Sequence, residues 1–113
     1  MKKSPAHRPL EPAQLAAVAD LFSVLSEPSR LRILQFLQRG PATVTQIVEG
    51  LHLKQANVSK QLGILTTARV VERQQQGNFA RYSIAMPLVF DLCALVCKSV
   101  ADLAARHAKA LAP

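Results

Sequence analysis

A mainly α-helical fold with one small β-hairpin is the class this sequence predicts, on three observations. Apolar residues recur at helical spacing through four stretches between Ala13 and Ala68, and again through one long stretch from Pro87 to Leu111. Between them, Val70–Gln74 and Ala80–Ile84 alternate with a period of two around Gly77-Asn78, which supplies the left-handed turn tolerance of a hairpin. The chain has 113 residues, 50% of them hydrophobic, which suits one domain with a modest core and leaves disorder only for the ends.

Met1 to Pro12 is basic, carries three prolines and reads as a flexible arm, leaving residues 13–111 as the single folded domain. Ala13 to Leu25 is predicted helical, with Leu15, Val18, Ala19 and Phe22 on one side. Ser26-Glu27-Pro28 restarts the chain. Ser26 can cap, Pro28 suits a first turn, and Glu27 complements the positive end of the helix dipole. The helix that follows is expected to run to about Gln38, to bury Leu31, Leu34 and Phe36 or Leu37, and to stop at Gly40-Pro41.

Thr43 to Ala68 reads as two short helices with a tight connection. Thr43 has Gln46 three positions on, the spacing of a capping box, and Val44, Ile47, Val48 and Leu51 make one apolar face. Leu51-His52-Leu53 carries the chain across to a second helix that starts near Lys54 and buries Val58, Leu62 and Leu65. Its opposite face carries Ala56, Asn57, Ser59, Lys60, Gly63 and Thr67, small or polar with one cation. Such a face can approach a surface closely and hydrogen-bond to it. That suits a helix-turn-helix, whose second helix lies in the DNA major groove. The other reading is an ordinary amphipathic pair with a solvated outer face. For groove contact the candidates are Ala56, Asn57, Ser59 and Lys60, with Gln55 and Gln61 at the margins.

In the second strand Ala80, Tyr82 and Ile84 share one face. Arg81 points the other way, and Arg73 on the first strand is expected to point with it. Two arginines on an exposed hairpin beside the second helix suit phosphate contacts; two solvated cations on a small ribbon is the alternative. In the last helix Val89, Phe90, Cys93, Cys97, Val100, Ala104, His107 and Leu111 fall on one arc, and Leu88, Leu92, Leu95, Val96 and Leu103 fill much of the rest. One small domain covers only part of so wide an apolar surface, so the first and last helices are expected to form a dimerisation seam.

Lys and Arg number 14 against 7 acids, a net charge of +7 that points to a polyanion, nucleic acid before an anionic membrane surface. The most apolar run, Ile84 to Ala105, is broken by Pro87, Asp91, Lys98 and Asp102, so no membrane span is expected. Pro5, His7, Arg8, Glu11 and Pro12 stand where a signal peptide needs its apolar core. The expectation is a cytoplasmic protein with reduced thiols. No Ser/His/Asp set, phosphate loop or carboxylate pair is present. Cys93 and Cys97 form CxxxC inside a helix, not CxxC at a helix start where the dipole lowers a thiol pKa, which disfavours a thiol enzyme. A helical adaptor that binds another protein through its last helix is the remaining rival.

Helix, helix, helix-turn-helix, arginine-bearing hairpin and closing apolar helix is the order of a winged helix-turn-helix protein. The residues also resemble the ArsR-type (arsenic-repressor-like) transcriptional regulators. Leu25 to Leu34, LSEPSRLRIL, resembles the family's L-x-(D/E)-P-x-R-L-x-I-L opening. Gln55 to Leu65 resembles its recognition helix, and Val70-Val71, Arg73, Gly77 and Arg81-Tyr82-Ser83-Ile84 resemble its wing. The resemblance spans Ala13 to about Ala105. It implies a homodimer that binds a double-stranded DNA operator and represses transcription until an inducer weakens binding. Three departures stand out. Gln61 sits where the family often has His, and Arg69 where it usually has Gly, at a cost of about 1 kcal/mol if that position is left-handed. The helix from Thr43 to Leu51 lacks the paired cysteines that bind arsenite, cadmium or lead in the founding members. The last helix lacks the Asp/His set of the zinc sensors, Asp91 and His107 being too few and on different faces.

Cys93 and Cys97 are the candidate switch. Four residues apart in a helix, they share a face with β-carbons about 5–6 Å apart. Two thiolates at that spacing could grip a thiophilic metal or metalloid ion such as As(III), Cu(I) or Zn(II), with a third ligand from elsewhere. His107, about 15 Å further along the helix, could join only from a partner chain. Redox or reactive-sulfur sensing is the other active reading: a disulfide within one turn would be strained, because its β-carbons must come within about 4.5 Å, so oxidation would bend the helix or link two chains. Inert packing is the alternative, since free Cys behaves as a small hydrophobe and Val89, Val100 and Ala104 share the stripe.

Overall fold

Exposed amides at each helix start have to be tied off, and the local sequence places the starts accordingly. The computed structural model describes residues 9–111, in the order α1 (Pro12–Val24), α2 (Pro28–Leu37), α3 (Val44–Leu51), α4 (Gln55–Thr67), β1 (Val71–Gln76), β2 (Phe79–Ile84) and α5 (Leu88–Leu111). At α1, the Glu11 amide donates to Gln14 Oε1 at 2.9 Å and Pro12 takes the first position. The predicted arm therefore ends one residue early, and its residues 1–8 lie outside the described residues. Glu27, not Ser26, caps α2: its carboxylate accepts from the Arg30 amide at 3.0 Å, while the Ser26 hydroxyl donates back to the Ser23 carbonyl at 2.6 Å and ends α1. Hydrogen bonds from the amides of Ser29 and then Arg30 hold the Glu27 carboxyl below the ordinary carboxylate range, against the opposing cost of desolvation. The capping box at α3 is present as the spacing predicts: Thr43 Oγ1 accepts from the Gln46 amide at 3.2 Å and Gln46 Oε1 from the Thr43 amide at 2.9 Å.

The core is a trihelical wedge closed by the root of the hairpin. Ile33, Leu34 and Leu37 of α2, Ile47 of α3, Val58, Leu62 and Leu65 of α4, Val70, Val71 and Val89 are all buried. Leu31 was expected in this set and is 41% exposed, with Ile33 fully buried instead. The stripe 33, 34, 37 is centred roughly a third of a turn away from Leu31, so the helix cannot bury both. Phe36 reaches α3 across Gly50, where a β-carbon would collide with its ring. Arg32 reaches the other way, donating from Nη2 to the last carbonyl of α3, Leu51 O, at 2.7 Å. His52 then takes a left-handed conformation, φ 55°, and starts the turn into α4.

The end of α4 is a Schellman motif. Arg69 is left-handed at φ 62°, its amide donates to Thr66 O and the Val70 amide to Leu65 O, each at 3.0 Å, and Leu65 and Val70 meet in the core. The chain then enters the antiparallel hairpin, whose turn is Gly77-Asn78 with Gly77 at φ 61°. Its strands close on a two-residue turn, which changes the predicted side-chain directions. Arg73 lies opposite Tyr82, and Arg81 opposite Gln74. Directly opposed residues share a face, so Arg73 belongs with Tyr82 and Ile84, and the two arginines lie on opposite faces of the ribbon rather than the same one. A pair of backbone bonds between Ala42 and Tyr82, 3.0 and 2.8 Å, fastens the loop before α3 to the hairpin.

α1 buries no residue and α5 only Val89. Leu15, Val18 and Phe22 of α1 and Leu95, Val96, Val100 and Leu103 of α5 are all more than 40% exposed. The radius of gyration is 17.4 Å, against about 13 Å for a compact chain of this length. Among the described residues no helix is long and apolar enough to cross a membrane.

Candidate nucleic-acid interface

α4 presents one continuous exposed face: Gln55, Ala56, Ser59, Lys60, Gly63 and Thr67. It is small and polar because the bulky apolar residues Val58, Leu62 and Leu65 of α4 are buried in the core instead. Gly63 leaves the middle of the face open, with nothing within 4 Å of where a β-carbon would stand. Lys54 caps α4 without a side-chain acceptor, so the amides of the first turn remain available to an anion beside a cation.

Asn57 and Gln61 depart from expectation. Asn57 is half-buried, and Gln61 is only 6% exposed, the one buried polar side chain among the described residues. Both lie on the flank of α4 turned towards α2. Gln61 Oε1 accepts from Arg30 Nη1 at 2.9 Å, and Gln61 Nε2 donates to Asn57 Oδ1 at 2.9 Å. Asn57 Nδ2 in turn donates to Ser29 Oγ at 3.4 Å. Arg30 is held at its other end by α1: Nε donates to Val24 O at 2.6 Å and Nη2 to Ser23 O at 3.4 Å. Gln61 is therefore buried against α2 rather than standing on the exposed face of α4. Burying a glutamine is costly unless its groups are paired, and here both ends are. Sequence reasoning passed over Arg30 and Ser29 as site residues, because a partner 31 positions away leaves no periodic trace.

The hairpin extends beyond the core with Arg73 exposed and Arg81 half-buried on the other face. Arg73 Nη2 donates to Gln75 Oε1 at 2.8 Å, which uses one of its five N–H donors. The thiols lie elsewhere. Cys93 packs against the core and Cys97 is exposed. Burial, and then the neighbouring Cys97, push the Cys93 thiol above the ordinary range, with a hydrogen bond from Gln38 opposing them. Among the described residues no three His, Cys, Asp or Glu side chains converge within one chain.

Residues 27–73 match the family described as bacterial regulatory protein, arsR family. The HTH-type transcriptional regulator Rv0081 of Mycobacterium tuberculosis is 37% identical over 84 residues, 74% of either chain, and its crystal structure matches this fold with a TM-score of 0.76. The antimony-specific transcriptional repressor AntR is 31% identical with a TM-score of 0.78, over 91% of this chain and 95% of its own. The homodimeric winged helix-turn-helix DNA-binding domain of Mb0332 from Mycobacterium bovis is 30% identical with a TM-score of 0.71, over 85% and 91%.

Proposed function

The chain belongs to the arsR family of bacterial regulatory proteins, transcriptional regulators and not enzymes, and we propose that it is a homodimeric, sequence-specific repressor. In this reading α4 lies in the operator's major groove and the hairpin lies on phosphates. The observation that carries it is the small, polar, exposed face of α4, with Lys60 in it and Gly63 open at its centre. A face without bulky side chains permits close approach to base edges. Ser59 and Lys60 point outward for that contact, and Asn57 reaches it from the flank. With one arginine on each face, the hairpin offers a phosphate contact on either side of the ribbon. The uncovered apolar surfaces of α1 and α5 supply the dimer seam, and the relative Mb0332 is a homodimer.

The test is a gel shift on DNA upstream of the regulated genes. Binding should prefer a near-palindromic site with half-sites one helical turn or a multiple apart, and weaken steeply as salt rises. Asn57→Ala and Lys60→Ala should each cost about 1–3 kcal/mol and relax base preference. A micromolar monomer with no preference among sequences would overturn the reading.

For the signal, we read the α5 dithiol as the switch. Burial and then the neighbouring Cys97 raise the Cys93 thiol pKa, which disfavours its thiolate as a nucleophile towards oxidants, whereas a thiophilic ion displaces thiol protons as it binds. Cys93 and Cys97 would be two ligands and a second chain would supply the third. AntR, by its name, answers to antimony. Releasing an operator a thousandfold needs about 4 kcal/mol of preference for the non-binding dimer, within reach of a metal–thiolate site. A Cys93→Ser, Cys97→Ser double variant challenged with arsenite, zinc, peroxide and persulfide decides it. The variant should stay bound where the parent is released; equal release makes the cysteines core residues only.

A further inference from the structure

We propose that Gln61 and Arg30 are positioning residues that set which end of the Asn57 side chain, carbonyl or amide, is offered to DNA. This rests on the reading above that Asn57 contacts bases. The argument is one of donors and acceptors. A guanidinium can only donate. Arg30 cannot turn away, because Nε and Nη2 are held on the last carbonyls of α1, Val24 O and Ser23 O. Its Nη1 therefore fixes the Gln61 oxygen towards α2, and the Gln61 amide must face Asn57. That in turn fixes the Asn57 oxygen towards Gln61 and its amide towards Ser29 Oγ. An unsupported asparagine is nearly symmetric in shape and could present either end. Here the polarity of one part-buried cation is passed through two side chains to the flank of the recognition helix. Asn57 keeps one lone pair and one N–H free, the complement that an adenine edge takes in the major groove.

The discriminating variant is Gln61→Glu. A carboxylate still accepts from Arg30, so packing and the tie to α2 persist, but it cannot donate to Asn57, whose amide is then drawn round to face it. Preference is measured by competition gel shifts on operators substituted one base pair at a time, for the parent, Asn57→Ala and Gln61→Glu, with melting temperature, affinity for random-sequence DNA and salt slope recorded beside them. Asn57→Ala identifies the base pair that Asn57 reads. At that pair Gln61→Glu should lose about fivefold or more in discrimination, with the other three quantities close to those of the parent. Should Gln61→Glu fail to fold, Gln61→Met, which keeps the volume but removes both the donor to Asn57 and the acceptor for Arg30, leaves Asn57 unoriented and should also lose discrimination at that pair. If Gln61→Glu keeps the parent's discrimination while Asn57→Ala loses it, the positioning role is wrong and the base contact stands. If Asn57→Ala changes no preference, both fall. If Gln61→Glu weakens binding to every sequence alike and lowers the melting temperature, Gln61 is a packing residue and the proposal is overturned.

Discussion

Arg69 shows what a single residue costs and why it stays. The Schellman motif at the end of α4 needs a left-handed residue, and Arg69 fills it at φ 62°. Replacing it by glycine removes a β-carbon clash, so Arg69→Gly should stabilise the chain by about 1 kcal/mol in chemical denaturation. If the arginine is kept as a phosphate contact, the same variant should bind operator and random DNA more weakly by a common factor. Unchanged affinity would leave Arg69 without a role in binding. The departure from glycine came from the family resemblance, with strain expected only if the position were left-handed, and φ 62° meets that condition. The burial of Gln61 was not legible in the sequence. By helical spacing it falls at the border between the apolar stripe and the polar face, and a long amide there can turn either way. Only the position of Arg30 decides, and helical periodicity says nothing of contacts from another helix.

The elements themselves were largely legible, because their signals are local. Capping residues, prolines and periodic apolar positions fixed all five helices to within a residue or so of where they lie. The hairpin shows where local signals end. Alternation within each strand was readable, but the register between strands depends on the turn. A five-residue connection would have set Arg73 opposite Arg81; the two-residue turn shifts the pairing by one and sends Arg73 to the other face. Each arginine should still act alone on phosphate. Arg73→Ala and Arg81→Ala should each weaken binding to all sequences alike and reduce the salt slope by about one; a change in base preference would mean that the hairpin reads sequence. On α4, Gly63 makes the opposite kind of statement. An alanine there meets nothing and should strengthen the helix by about 1 kcal/mol. Its methyl group would stand in the middle of the face read as lying in the groove, so Gly63→Ala should raise the melting temperature and lower operator affinity. A variant that gains stability and keeps full affinity would show that α4 does not approach DNA closely.

At the scale of the molecule, the question is how a chain holds two helices that it does not bury. α1 has no fully buried residue and only edges the core with Leu21 and Val24, and α5, 24 residues long, fully buries Val89 alone, with Cys93 partly buried beside it. An extended body with that much apolar surface is expected to be stabilised by association. If so, unfolding and dissociation are one event, and the melting temperature must depend on protein concentration. For two 113-residue chains, an unfolding entropy of about 2.1 cal/mol/K per residue gives a rise of about 3 °C for each tenfold increase in concentration. Leu103→Glu tests the seam directly. Leu103 is 63% exposed in the single chain, so a glutamate there costs the isolated fold little. Opposite a second copy it would bury a charge without a partner. The variant should be monomeric by sedimentation, melt lower and independently of concentration, and lose preference for a two-half-site operator while retaining weak, salt-sensitive binding to any DNA through α4 and the hairpin. A Leu103→Glu protein that remains dimeric with parental operator affinity would mean that the seam lies elsewhere than on the outer face of α5.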